Sequence, residues 1–414
     1  MYLKETIFLF AISASLFSCR SQGHAGVASD TSKTESTPTD PPVETKQANT
    51  DYKPAFAGQT RTAGMKTQAE LDIKVLSEGL TSPWGITALP DGRLLITQKK
   101  GTMRIAKSNG ELSAEIGGLP KVNDGGQGGL LGVTIDPDFT NNRMVYWCIS
   151  ESIEGGNVTS VAKGRLSADE STMENPIVIY RATPAFNGTL HYGGRILFDK
   201  KGNLFVSTGE RSDLKTRPKA QDISTGLGKI VYITKEGKPV TGNPFINQAG
   251  AMAENYSYGH RNVQGLALHP ETGDLWNNEF GPRGGDEVNR IVVGKNYGWP
   301  TITYGIEYSG NKINNGLTQQ DGLEQPVYYW DPVVSPSGMT FYSGNAIPEW
   351  KNDLFVGCLS GMHIARLRIR NNKVVGEERL LTNEKQRFRD VQQGADGALY
   401  AVCDGGRLYR IGKK

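Results

Sequence analysis

One short phrase recurs six times along this chain and limits the folds it can adopt more than any other feature. Each copy has an apolar pair, a turn built from Pro, Asp or Gly, and then alternating Leu, Val and Tyr residues. This pattern is typical of a β-hairpin, because Pro, Asp and Gly readily adopt the tight turns that join two strands. The copies begin at Leu89, Ile135, Phe198, Leu268, Ile347 and Gly394.

The intervals between the copies are irregular, but each is long enough for a four-stranded unit. Four-stranded antiparallel units repeated around an axis are the blades of a propeller. The sequence therefore predicts an all-β fold, a six-bladed β-propeller of four-stranded antiparallel blades, over residues 66–414. A strand around residues 71–76 would complete the last blade and close the ring. The alternative is a pair of β-sandwich domains, but residues 70–414 contain no linker-like stretch to divide them.

The composition agrees with many tight turns and excludes some functions. The chain has 51 Gly among 414 residues, and its aromatic residues lie among short apolar runs. A formal net charge of +3 argues against a general nucleic-acid or membrane-surface binder. Three cysteines, Cys148, Cys358 and Cys403, lie far apart in strand-like runs, so we expect buried free thiols rather than disulfides.

The N-terminal residues predict export. Lys4 precedes an apolar run over residues 7–17, which is too short to span a bilayer comfortably. A charged start, an apolar centre and a small residue before a cysteine are typical of a signal peptide, here residues 1–18. Cys19 then resembles the lipidated cysteine of a bacterial lipoprotein; cleavage by ordinary signal peptidase is the alternative.

Residues 19–65 are rich in Ser, Thr, Pro, Lys, Glu and Gln and contain few apolar residues. Such a segment cannot bury enough surface to order itself, so we predict a disordered tether. We therefore expect a periplasmic or cell-surface protein that meets the membrane only through a lipid anchor.

Charged and amide side chains gather on both sides of one predicted strand between residues 258 and 300. Because such groups are costly to desolvate at strand ends, this stretch predicts a site for a cation and an anion. Oxygen ligands around a Gly281-Pro282 turn favour calcium over zinc, although the spacing is unlike an EF-hand loop. The group comprises His260, Arg261, Asn262, Gln264, Glu279, Asp286, Glu287 and Asn289.

Arg387 and Arg389 alternate along a predicted strand, so both side chains lie on one face. Two guanidiniums on one side suggest a polyanionic ligand held by bidentate contacts. The alternative is a solvated strand face on which the arginines pair with Asp390 or other nearby acids.

His191 precedes a predicted strand in a Gly-rich segment, which suits the central face of a propeller. A near-neutral pKa would let it act as a general base toward a hydroxyl group, and a structural histidine is the alternative. The Gly-rich segment over residues 125–132 fits neither a phosphate loop nor a dinucleotide fingerprint. Its Gln127 is a plausible polar contact.

Eight motifs along the chain, taken in sequence order, resemble those of the soluble quinoprotein sugar dehydrogenases, which form the glucose/sorbosone dehydrogenase family. The resemblance is to its aldose sugar dehydrogenase branch in particular. The resemblance covers roughly residues 70–412. It implies a propeller that binds pyrroloquinoline quinone (PQQ) and Ca²⁺ at the top of its axis and oxidises aldoses at C1 to lactones for an external electron acceptor. The motifs begin at Pro83, Gly125, His191, Tyr258, Glu279, Asn296, Pro336 and Arg387.

The resemblance also implies a role for each matched residue. His191 would take the proton from the sugar C1 hydroxyl, and Arg261 would stabilise charge on the reduced quinone. The carbonyl oxygens of Gly281 and Pro282 would hold the active-site calcium. Further contacts to the cofactor would come from Gln127, Asn262, Tyr308, Arg387 and Arg389. A second calcium would be held by Glu287 and the carbonyl of Tyr297.

Two departures from the glucose enzymes predict a different sugar preference. Leu190 stands where they have an acid, and the segment over residues 358–361 stands where they have a lysine. Two other functions fit a propeller: a calcium-dependent lactonase and a non-catalytic binding protein of the cell surface. Crowded arginines argue against the first, and retention of His191 argues against the second.

Overall fold

Six antiparallel sheets make up the regular structure of residues 39–414, the part of the chain that this computed structural model describes. This confirms the predicted all-β six-bladed propeller. Strand β1 (Leu71–Ser77) comes first, and blades 1 to 6 follow in chain order.

Blade 1 contains β2 (Pro83–Ala88), β3 (Leu94–Gln98) and β4 (Thr102–Ala106). Blade 2 contains β5 (Leu130–Ile135), β6 (Met144–Ile153), β7 (Gly156–Leu166) and β8 (Met173–Arg181). Blade 3 contains β9 (Gly193–Phe198), β10 (Leu204–Thr208), β11 (Lys229–Ile233) and β12 (Asn255–Tyr258). Blade 4 contains β13 (Val263–Leu268), β14 (Leu275–Glu279), β15 (Asp286–Ile291) and β16 (Tyr328–Trp330). Blade 5 contains β17 (Pro336–Phe341), β18 (Leu354–Cys358), β19 (His363–Arg370) and β20 (Lys373–Leu380). Blade 6 contains β21 (Phe388–Gln393), β22 (Leu399–Cys403) and β23 (Leu408–Lys413). The helices are α1 (Phe139–Asn142) and four short 3-10 turns at Arg217–Ala220, Asn314–Gly316, Pro348–Trp350 and Thr382–Glu384.

The ring closes as the sequence predicts. Strand β1 pairs antiparallel with β23, from Leu71 opposite Lys413 to Ser77 opposite Leu408, and so becomes the outer strand of blade 6. Blade 1 departs from the four-stranded pattern, since its sheet has three strands and isolated bridges mark the fourth position. Closure through β1 joins the two ends of the propeller domain in one sheet.

Each recurring phrase forms the turn between the first and second strands of a blade. In blade 1, the amide of Gly92 donates to the carbonyl of Leu89 at 3.0 Å. Gly92 has a φ of +85°, which suits a residue without a Cβ atom. The interblade core includes Trp147 and Trp276, both fully buried. As predicted, Cys148, Cys358 and Cys403 are buried free thiols.

A buried ion pair crosses the propeller axis. Arg195 on β9 donates to Asp390 on β21 at 2.5 Å, and both side chains are at most 7% exposed. The Arg195 Nε donates to the carbonyl of Gln264 at 2.9 Å, and the guanidinium lies 4.3 Å from the ring centre of Trp84. The amide of Ile86 donates to the same carboxylate at 3.0 Å. These contacts connect blades 1, 3, 4 and 6.

Residues 39–65, termed the N-terminal strap, lie against blades 4 and 5. The amide of Met65 donates to the carbonyl of Glu377 at 3.0 Å, and Glu377 donates back to Ala63 at 2.9 Å. Glu44 pairs with Arg379 at 2.9 Å. The prediction of a disordered tether over residues 19–65 therefore does not hold for the strap, because hydrogen bonds and ion pairs fix it where apolar burial is small.

The rest of that prediction, residues 19–38, lies outside the described residues, as do the signal peptide over residues 1–18 and the lipidated Cys19. Within residues 39–414, none of the helices is long and apolar enough to cross a bilayer.

The axial ion pair yields a stability prediction. Changing Asp390 to Asn or Arg195 to Met should lower the free energy of unfolding by about 3–5 kcal/mol, because each change leaves a buried group without its partner. The double variant should lose less than the sum of the single losses. Denaturant titration measures the three values.

The exposed pair of Arg165 and Glu174, 2.8 Å apart, is the matched control. Changing Arg165 to Ala should alter the free energy of unfolding by about 0–1 kcal/mol. Equal effects at the exposed and axial pairs would contradict a special contribution of the axis.

Candidate active site

A cavity of about 750 Å³ opens at one end of the propeller axis. Its walls come from residues that precede the first strands of the blades and residues that follow the second strands. The tertiary structure thus brings together side chains from across the sequence. The predicted site residues that line it are Gln127, His191, Arg261, Gly281, Pro282, Tyr308, Arg387 and Arg389.

His191 is held by contacts on both its backbone and its ring. Its Nδ1 lies 2.6 Å from a carboxylate oxygen of Glu210, and its backbone amide donates to the side chain of Gln127 at 2.9 Å. The residue has a φ of +48°, an uncommon value for a residue with a side chain. The pair with Glu210 orients the imidazole and leaves Nε2 as the ring nitrogen available to a ligand.

Burial lowers the pKa of His191 to about 4, and the nearby positive charge of Arg261 acts in the same direction. The hydrogen bond and the charge of Glu210 oppose this shift. The imidazole is therefore neutral at neutral pH, which is the form that accepts a proton. Glu210 is itself buried, and its second carboxylate oxygen has no hydrogen-bond partner among the described residues.

Arg261 lies beside His191 at the start of blade 4. Its side chain donates to the carbonyl of Gly281 at 2.7 Å and to that of Phe280 at 3.2 Å. Its backbone amide donates to Glu279 at 2.7 Å. The Arg261 Nε is buried and has no partner within the described residues, so it retains a donor for a ligand.

The Asp286 carboxylate connects the turn over residues 281–285 to the start of blade 5 through hydrogen bonds. One carboxylate oxygen of Asp286 accepts from the amide of Gly281 at 2.8 Å, and the other accepts from the amides of Val334 and Ser335 at 2.8 and 2.7 Å. Burial raises the pKa of Asp286 to about 7. A Cβ atom on Gly281 would lie 2.3 Å from the backbone of Gly285, so the turn requires glycine there.

Arg387 and Arg389 share one acid. Both donate to Asp404 at 2.9 Å, and both line the cavity. They lie on one face, as alternation predicts, but their partner is Asp404; Asp390 pairs with Arg195 instead.

The charges in the cavity are unbalanced. Five cationic side chains line it against two carboxyl groups, and His191 is neutral. The cations are Lys99, Arg261, Arg283, Arg387 and Arg389, and the acids are Asp286 and Asp404. A cavity with this excess of positive charge suits an anionic ligand.

Three predicted site residues do not line the cavity. Asn262 is buried behind it, where its Oδ1 accepts from the amide of Gly193 at 3.0 Å. Tyr297 stacks on the ring of His260 with 4.7 Å between ring centres. Glu287 lies near Glu279, and burial followed by that neighbouring charge raises the pKa of Glu287 well above its usual value.

The sequence did not reveal three residues of the site: Glu210, Lys99 and Asn49. Glu210 is 19 residues from His191 and reaches it because the hairpin of β9 and β10 folds back on itself. Its position directly after a strand and a glycine was the available signal. Lys99 donates to the carbonyls of Asp124 and Gly126 at 3.0 and 2.7 Å, and Asn49 comes from the strap.

Comparisons with known proteins agree with this geometry. Residues 80–410 match the family model described as glucose/sorbosone dehydrogenase, and the match begins after the strap. Aldose sugar dehydrogenase YliI of Escherichia coli is 42% identical over 83% of this chain and 93% of its own length.

Solved structures are also similar to the chain, and two of them illustrate the match. A glucose dehydrogenase is 43% identical over 83% of this chain and 100% of its own, with a TM-score of 0.80. The PQQ-bound aldose sugar dehydrogenase of Streptomyces coelicolor is 30% identical over 84% of this chain and 100% of its own, with a TM-score of 0.69.

The geometry predicts the titration of His191 in the cofactor-free protein. Its pKa should be about 4, and changing Glu210 to Gln should lower it further, because the carboxylate favours the protonated imidazole. NMR of labelled histidines measures both values. A His191 pKa near the ordinary value would contradict the dominant effect of burial, and an increase in the Gln variant would contradict the pair with Glu210.

Proposed function

Because the chain belongs to the glucose/sorbosone dehydrogenase family, we propose that it oxidises aldose sugars at C1 to lactones with PQQ as cofactor and calcium as Lewis acid. The observation that carries this proposal is the neutral His191, held by Glu210 beside Arg261 in a cationic cavity. A base that is neutral at neutral pH and faces a cavity can take a proton from a hydroxyl group.

The residues of the cavity fit a cofactor with three carboxylates. Arg387 and Arg389 are only partly neutralised by their shared Asp404, and guanidiniums form paired contacts with carboxylates. Gln127 and Tyr308, which line the cavity, would add polar contacts around the ring system, and Asn262 would support this wall from behind through the amide of Gly193. PQQ, when bound, supplies the acceptor for the hydride that leaves C1.

The turn over residues 281–285 fits a hard cation. Gly281 and Pro282 both line the cavity, and backbone carbonyl oxygens are ligands that calcium prefers. We assign their carbonyls to the active-site calcium, for which the Arg261 guanidinium would have to move away from the carbonyl of Gly281. The role of the calcium would be to polarise a carbonyl oxygen. Glu287 and the carbonyl of Tyr297 would hold a second calcium outside the cavity.

His191 would accept the C1 hydroxyl proton at Nε2, while Glu210 holds the ring and favours the imidazolium that forms. Arg261 has an unpartnered buried Nε, and its charge would stabilise negative charge that develops beside it. Leu190, next to His191, is 40% exposed, so this chain presents an apolar side chain where the glucose enzymes have an acid. We expect a sugar preference other than glucose.

The rival functions fit the cavity less well. A calcium-dependent lactonase needs acidic side chains around its metal, and within residues 39–414 no group of three or more His, Cys, Asp or Glu residues could hold one. A non-catalytic binding propeller has no need for a buried His191–Glu210 pair at a cationic cavity. We also propose an exported protein with a lipid anchor at Cys19 and an external electron acceptor of unknown identity.

Reconstitution tests the proposed function. The purified cofactor-free protein should reduce a dye acceptor in the presence of an aldose only when both PQQ and calcium are added. A panel of aldoses should reveal a preference other than glucose. No dye reduction with any aldose in any combination would contradict the proposal.

Substitution of the base tests its assignment. Changing His191 to Ala should lower kcat about 10²–10⁴-fold, the usual contribution of a general base, while PQQ binding followed by absorbance is largely retained. The control is His269, which forms a turn contact with Thr272, and its Ala variant should keep normal turnover. Near-normal rates in the His191 variant would show that the base assignment is wrong.

A further inference from the structure

The strap reaches the cavity at one residue, Asn49. Asn49 lines the same cavity as His191 and Pro282, although it is more than two hundred residues from Pro282 in sequence. Its Oδ1 accepts from the Arg283 Nε at 3.3 Å, and Arg283 also lines the cavity. The strap lies before residues 80–410, the part of the chain that the family model matches.

Asp331 is the anchor of the strap beside the cavity. This residue follows β16 and is 5% exposed. One of its carboxylate oxygens accepts from the amide and side chain of Asn49 at 2.8 and 2.9 Å, and the other accepts from the amide and hydroxyl of Thr50 at 3.0 and 2.9 Å. The strap thus satisfies a buried carboxylate through four hydrogen bonds.

The same carboxylate packs against the turn over residues 281–285. A Cβ atom on Gly284 would lie 3.0 Å from Asp331 Oδ1, and the amide of Gly285 donates to the carbonyl of Trp330 at 3.0 Å. If the strap leaves, the Asp331 carboxylate loses four hydrogen bonds and is free to turn toward solvent. Movement of Asp331 would loosen the turn that it packs against.

The strap is also fixed at points far from the cavity. Gln59 is fully buried, with its side chain donating to the carbonyl of Pro326 at 2.9 Å. Glu44 pairs with Arg379 at 2.9 Å, and the amide of Met65 donates to the carbonyl of Glu377 at 3.0 Å. Because these contacts are distributed along its length, a single substitution near the cavity should leave the strap bound.

We propose that the N-terminal strap completes the active-site wall: Asn49 forms part of the sugar-facing surface with Arg283, and Asn49 and Thr50 hold the turn over residues 281–285 through Asp331. Asn49 and Thr50 are positioning residues for that turn. The part that concerns the sugar rests on the proposed function; the part that concerns the turn does not.

The test compares variants of the full chain at Asn49 and Thr50 with a control variant at Glu44. Asn49→Ala removes the side-chain contacts to Asp331 and Arg283 but keeps the backbone amide contact to Asp331. Thr50→Val removes one hydroxyl contact to Asp331, which Thr50→Ser retains. The control is Glu44→Gln, which weakens the pair with Arg379 and touches neither the cavity nor Asp331. Thermal unfolding verifies that each variant is folded.

The first measurement is hydrogen exchange of residues 281–285 in the cofactor-free protein. Asn49→Ala and Thr50→Val should speed exchange roughly tenfold, while Thr50→Ser and Glu44→Gln leave it near the wild-type rate. Equal exchange in the Asn49 and Glu44 variants would overturn the role of the strap in holding the turn.

The second measurement is steady-state kinetics of the reconstituted enzyme. At saturating calcium, Asn49→Ala should raise KM for the preferred aldose about three- to tenfold and keep kcat within about twofold, the pattern of a lost binding contact. An unchanged KM would overturn the sugar-facing role of Asn49. Absence of turnover in the wild type would instead refute the proposed function, and the exchange result would still decide the role of the strap.

Discussion

The ion pair of Arg195 and Asp390 is the interaction on which the rest of the structure depends. A propeller has no helix or strand along its axis. Polar and charged groups on the inner strands of its blades must therefore find their partners on one another. Arg195 meets Asp390 from the opposite side of the ring and also contacts Trp84 and the carbonyl of Gln264. Burial raises the pKa of Asp390, and the guanidinium opposes that shift. Burial of either charge without the other would be strongly destabilising, and their pairing fixes how the blades face the axis.

The active-site cavity follows from this arrangement. In each blade, the residues before the first strand and the loop after the second strand lie at the same end of the ring. His191, Arg261 and the turn over residues 281–285 meet there. Some of the charges are satisfied by neighbours in the protein, as when Asp404 accepts from Arg387 and Arg389. The remaining positive charge, and an Arg261 Nε without a partner among residues 39–414, are unusual for a structural centre and are suited to an anionic ligand.

Much of the fold and part of the site could be predicted from the sequence. The recurring turns and the early strand around residues 71–76 predicted six blades and their closure, because turn chemistry and alternation act over a few residues. The motifs predicted the residues of the cavity but not their contacts. Asp404, rather than Asp390, pairs with the arginines, and Asn262 lies behind the cavity instead of lining it. The composition of residues 39–65 predicted a disordered tether, and this was wrong for the strap. Composition indicates how much apolar surface a segment can bury, but it gives no information on hydrogen-bond partners elsewhere in the chain.

The sequence by itself determined the hairpins, the number of blades and the supply of cationic and acidic residues at strand ends, since these depend on neighbours along the chain. Only the tertiary structure decided which of those residues meet. The pair of His191 and Glu210 arises where a strand folds back on the next, and Asn49 reaches Asp331 across 282 residues. The pKa of His191 is likewise a tertiary property, because burial and the charge of Arg261 lower it only after the ring has closed. Local residue types set the available chemistry, and desolvation and pairing in the closed propeller decided which groups can use it.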